Sequence, residues 1–172
     1  CPAYTPTGGW MGDYIKGRDG CVWDGPSWPY TDGIILDTLG VLAKENQAYA
    51  ELFRTYLHRY ALQHFRDGDL ERPYLVEHYN PETGEPLSDE PDYNHSYFID
   101  LIMKYVVGIK AEMGRIIVDP LDLGLKSFSC RDISVKGHLL HVCYEQKKGF
   151  EVYLDSKLVA ESSELKHVVI EI

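Results

Sequence analysis

Positive charge is scarce in this chain: 17 Lys and Arg stand against 27 Asp and Glu, for a formal net charge of −10. Nucleic acid and anionic membrane surfaces are gripped by basic patches, so neither is expected as a partner. Long apolar runs are missing as well, and none approaches the roughly 20 residues of a membrane span. The four cysteines, Cys1, Cys21, Cys130 and Cys143, form no Cys-x-x-Cys pair. That argues against a zinc cluster and leaves a disulfide framework unsupported. No Gly-x-Ser-x-Gly elbow or phosphate loop occurs. The acidic residues Glu82, Glu85, Asp89, Glu90 and Asp92 lack the alternation of an EF-hand loop and read as a solvated loop. Glu77, His78 and His95 lack the same-face helical spacing of a zinc site. No metal or cofactor is therefore expected. The first residue is Cys rather than Met with no signal-peptide pattern before it, which is read as a truncated coding region rather than a lipid-anchored terminus.

What is present is a chain of 172 residues, 44% hydrophobic, enough to build a core. The run Cys21-Val22-Trp23-Asp24-Gly25-Pro26-Ser27-Trp28-Pro29-Tyr30 stands out. Pro26 and Pro29 each fix φ and remove a backbone donor, and Gly25 permits a tight bend. A rigid loop lined by Trp23 and Trp28 results, and flat rings with a polar edge suit the C–H face of a sugar. Helical spacing follows in Ile35, Leu36, Leu39, Leu42 and Ala43, then in Tyr49, Leu52, Phe53, Tyr56, Leu57, Tyr60 and Phe65. A short link between them predicts an antiparallel hairpin. Tyr49, Phe53, Tyr56 and Tyr60 give the second helix apolar flanks on both sides, so further helices are expected to cover it. Residues 67 to 93 form a long loop, the kind that is often functional. A third helix is predicted from about His95 to Met113, capped by Asn94 or Ser96.

After Gly114 the period falls from 3.6 to 2. Strands are predicted over 115–118, 133–136, 139–145, 150–154, 157–160 and 166–172, with turns at Lys136-Gly137, Lys148-Gly149 and Asp155-Ser156. The fold class is thus α then β, with a helical part over 1–113 and an antiparallel β module over 114–172.

Chemistry is suggested by Leu75-Val76-Glu77-His78-Tyr79-Asn80-Pro81-Glu82-Thr83-Gly84. Glu77 sits among apolar and aromatic neighbours, a setting that disfavours the charged carboxylate, beside a Pro-x-Thr-Gly turn suited to hold it still. Glycoside hydrolysis needs two positioned carboxyl groups. The loop from Trp23 to Tyr30 resembles the Trp-x-Gly-Pro-x-Trp loop of glycoside hydrolase family 63 and its mannosylglycerate-hydrolase-like relatives. Glu77 to Gly84 is similar to the Glu-x-Tyr-x-x-x-Thr-Gly segment that follows in those proteins, and Asp92 to Phe98 falls where they open their last long barrel helix.

The resemblance implies the final helices of an (α/α)6 toroid followed by a small β-sandwich module. It implies an inverting glycosidase for α-linked glucosides or mannosides, with Glu77 as general base. Trp23, Asp24, Trp28, Tyr79 and His95 would then face the sugar. Asp24 departs from the Arg common in family 63. The family's general acid, an Asp upstream of the Trp loop, matches nothing in these residues. Inversion needs carboxyl groups about 6.5–9.5 Å apart, so the chain alone is expected to be inactive. Its expected partners are an oligosaccharide or small α-glycoside and the remaining barrel helices, from an upstream region or another chain. The rival expectation is a non-catalytic carbohydrate-binding or assembly module.

Overall fold

The computed structural model describes residues 26–81, 83–88, 90, 93 and 97–172. Helix α1 spans Pro29–Glu45 and α2 spans Ala48–Leu62. Proline at the first helical position has its φ preset and no amide to orphan. The Asp32 amide then donates to the Trp28 carbonyl at 2.9 Å as the first turn closes. Asp32 lies in that first turn and Lys44 in the last, each at the end whose partial charge it complements. Only Asn46 and Gln47 separate the helices, and the Asn46 side chain accepts from the Ala48 amide at 3.0 Å. At the far end of α2, His64 Nδ1 meets the Tyr60 carbonyl at 2.7 Å and satisfies a last-turn group.

On α2, Phe53, Leu57 and Tyr60 are buried, but Tyr49 and Tyr56 remain 38% and 41% exposed. Both flanks are apolar as expected, and the one bearing Tyr49 and Tyr56 is where further helices were expected to pack. One stripe packs on neighbouring segments and the other has no cover among the described residues.

The third helix is shorter than its periodicity suggests. It comprises α3, Tyr97–Leu101, and a π-helical turn over Ile102–Val106. Extension to Met113 is excluded at Gly108, whose φ is +82°. A Cβ there would lie 2.2 Å from the backbone of Asp119 and Pro120. The chain turns instead, and Ile109–Glu112 becomes strand β1. The proposed caps Asn94 and Ser96 lie outside the described residues.

The helices are followed by two antiparallel sheets. β1 (Ile109–Glu112), β2 (Arg115–Val118) and β7 (Val168–Glu171) form one, in the order β1-β2-β7. β3 (Ser127–Val135), β4 (His138–Glu145), β5 (Gly149–Leu154) and β6 (Lys157–Ser162) form the other, in sequence order. Alternation places Leu140, Val142, Phe150 and Val152 from the larger sheet and Ile116, Val118 and Val168 from the smaller into one core. The predicted turns at 136–137 and 155–156 are present, with positive φ at Lys136, Gly137, Asp155 and Ser156. Strand β1 was read as the end of the third helix, and the first half of β3 was missed because its polar residues mask the alternation.

The chain divides into two compact units, Cys1–Val41 with Leu52–Phe98, and Leu42–Glu51 with Ile99–Ile172. Among the described residues no helix is long and apolar enough to cross a membrane.

Candidate functional site

The two segments singled out by their chemistry meet. Ser27 and Tyr79 form an antiparallel bridge, with the Ser27 amide donating to the Tyr79 carbonyl at 2.8 Å and the Tyr79 amide donating back at 2.9 Å. The bridge continues outward from Tyr79 to Pro86. Trp28, next to Ser27, stacks on His78, next to Tyr79, with ring centroids 4.8 Å apart and planes 21° apart. The Trp loop and the Glu77 segment are thus clasped by main-chain bonds and by a ring stack.

Tyr79 braces its own segment. Its hydroxyl donates to the Tyr74 carbonyl at 2.7 Å and accepts from the Val76 amide at 3.1 Å. Burial pushes the phenol up to about 12. Ser88 Oγ accepts from the Glu77 amide at 3.0 Å, tying the stretch to the returning loop. Asn80 closes the turn that follows: its carbonyl accepts from the Gly84 amide at 2.8 Å and its side chain from the Thr83 amide at 3.2 Å. Gly84 has φ +77°, the left-handed geometry that favours glycine. The expected turn is there, and Glu77 stands half-buried in the segment that precedes it.

The proposed sugar walls sit differently from their sequence-level picture. Trp28 is 3% and Tyr79 1% exposed, so neither ring offers an open face to a ligand in this chain. Both support the Glu77 segment from within. Trp23, Asp24 and His95 lie outside the described residues. His78 is buried, and desolvation holds its imidazole below the usual histidine range, with the charges of Glu77 and Glu90 pulling the other way.

Sequence reasoning missed a polar knot beside the bridge. Ser27 Oγ donates to Asp32 Oδ2 at 2.7 Å, and both residues are buried. Tyr60 stands nearby, its phenol raised first by burial and then by the Asp32 charge. Serine and aspartate five residues apart across a helix start were the available signal. The knot opens on a groove of about 520 Å³, with Ile35, Leu39, Leu52 and Tyr56 along it and Asn80 and Pro81 at one end. Tyr60 Oη and Gln63 Nε2 are buried there without a hydrogen-bond partner among the described residues.

The profile of the mannosylglycerate hydrolase MGH1-like glycoside hydrolase domain matches residues 1–96, more than half of the chain. The chain belongs to that family. The match takes in both clasped segments, in agreement with the likeness to family 63. Among solved structures, one described as "Sialidase" aligns over 89% of this chain, with a TM-score of 0.72 and 22% identity. At that identity the likeness is one of fold. The chain spans 15% of that structure's length. No curated protein matches it.

Proposed function

We propose that this glycoside hydrolase segment supplies the general base and part of the sugar-holding frame of an inverting α-glycosidase for glucosides or mannosides. The observation that carries the reading is the Ser27–Tyr79 bridge, because it fixes the Glu77 segment against the stretch that bears Trp28. In this mechanism the Glu77 carboxylate takes a proton from water as that water attacks the anomeric carbon. A carboxylic acid from outside these residues protonates the leaving oxygen. Trp28, His78 and Tyr79 hold the base in place, while Trp23, Asp24 and His95 make the sugar contacts.

The acid and the rest of an (α/α)6 toroid come from a further stretch of polypeptide. The half-exposed flank of α2 supports this. The test compares the 172-residue chain with a polypeptide that adds the remaining helices, on mannosylglycerate and on aryl α-glucosides and α-mannosides. NMR follows the anomer released. The longer protein is expected to release the inverted β-anomer and the short chain to release no sugar. Glu77→Gln should lower turnover by about 10²–10⁴-fold. Turnover kept within about tenfold in that variant would remove Glu77 from the chemistry and favour a non-catalytic carbohydrate-binding or assembly module.

A further inference from the structure

The outward face of the larger sheet carries a second constellation. On β4, His141 and Cys143 alternate with the buried Leu140 and Val142, and on β5 Glu151 and Tyr153 alternate with Phe150 and Val152. The register sets Cys143 opposite Glu151 and His141 opposite Tyr153, so four polar side chains form a square. Tyr153 Oη donates to Glu151 Oε2 at 2.8 Å, and the Cys143 thiol reaches the same oxygen at 3.7 Å. The His141 and Tyr153 rings stack with centroids 5.4 Å apart.

A bulge in β3 closes one side. Cys130 faces Val142 and Ile133 faces Leu140, so the strand carries one residue more than its partner there. Arg131 and Asp132 occupy the bulge, Asp132 at φ +55°. Bulges re-aim side chains and recur beside functional sites. Ser156, from the β5–β6 turn, lines another side of the resulting hollow, which measures about 460 Å³.

The lining selects among ligands. Arg131 is outweighed by Asp132 and Glu151, so the site is formally negative and disfavours an anion. No group of three or more metal-binding side chains occurs among the described residues. Burial, reinforced by the Glu151 charge, keeps the Cys143 thiol protonated and so a poor nucleophile. What remains is a mixed set of donors and acceptors: a guanidinium, a carboxylate whose two bonds both fall on Oε2, and hydroxyls. His141 Nε2 is buried with no hydrogen-bond partner among the described residues. Vicinal hydroxyls donate and accept at once, and a pyranose presents them beside an apolar C–H face that matches the exposed Leu139.

We propose that this hollow binds a neutral saccharide, with Glu151 accepting from adjacent hydroxyls and Arg131 donating to them. The site uses no residue of the Glu77 segment and goes beyond the proposed hydrolysis. The test is an amide-resolved NMR titration of the full 172-residue chain with maltose and with an α-linked mannobiose, beside glycerol and inorganic phosphate. Shifts are expected at 131–132, 139–143 and 151–156, with saturation at about millimolar sugar. Glu151→Ala should abolish them and Arg131→Ala, on the exposed bulge, should weaken binding at least several-fold. Should Glu151→Ala fail to fold, Arg131→Ala carries the comparison alone. Glu77→Gln should leave the titration unchanged, which separates this site from the hydrolytic one. Absence of shifts with either sugar, shifts that persist in both variants, or equal shifts from glycerol or phosphate would each overturn the proposal.

Discussion

Tyr79→Phe removes one oxygen from the middle of the candidate site. Its hydroxyl is bonded at 2.7 Å to the Tyr74 carbonyl and at 3.1 Å to the Val76 amide, and Val76 is 0% exposed. The Tyr74 carbonyl belongs to a half-buried residue and can turn to water. The Val76 amide cannot, so the variant leaves one buried donor unsatisfied, at a cost of about 1–3 kcal/mol. At about 2 kcal/mol, and the about 2–4 °C per kcal/mol of a chain this size, the melting temperature should fall by about 4–8 °C. Differential scanning calorimetry and urea melts measure this directly. The variant should also respond differently to alkali. Burial raises the Tyr79 phenol from about 10 in the unfolded chain to about 12 in the fold. The folded form therefore resists deprotonation, and stability present below pH 10 is lost as pH rises toward 12. Phenylalanine lacks that proton, so its stability should decline less over the same window. A melting temperature equal to wild type with an unchanged alkaline slope would refute the brace.

His78 makes the opposite prediction in acid. Because desolvation lowers its folded pKa, stability is full above the unfolded value and drains as pH falls from about 6.5 through the lowered folded value. His78→Phe keeps a ring against Trp28 and should flatten that acid limb in urea melts followed from neutral pH to about pH 5. Phe150→Ala empties a 0% exposed position between the sheets and should cost about 3–5 kcal/mol in the transition of the β module. Gly108→Ala combines a left-handed φ with a 2.2 Å approach to the backbone of Asp119 and Pro120. It should destabilise by more than the about 1–2 kcal/mol of the φ alone, read in the same melts.

The periodic parts of the fold were legible. Both long helices announce themselves by apolar spacing, and the first also by the proline that opens it. Most strands are visible because one face of the sheet is buried. The third helix was overestimated because Ile109 continues the helical stripe, and only the close approach of Asp119 and Pro120 to Gly108 stops it. Strand β1 was hidden for the same reason. At the site, the two segments that meet were legible in the sequence as motifs. The depth at which Trp28 and Tyr79 are enclosed was not, since burial depends on neighbours distant in sequence. Asp32 looked like an ordinary first-turn acid, and only the Ser27 hydroxyl 2.7 Å away marks it out.

Ser27 and Tyr79 are joined through amides and carbonyls alone. The bridge itself asks nothing of either side chain, so a substitution that keeps the buried contacts of both residues leaves the spacing of the two segments unaltered. Proline is the exception, because it arrives without the hydrogen that each partner gives away. The architecture at this point is written in the polypeptide's common repeating unit, so the register of the two segments does not depend on the hydroxyls that Ser27 and Tyr79 turn to other partners.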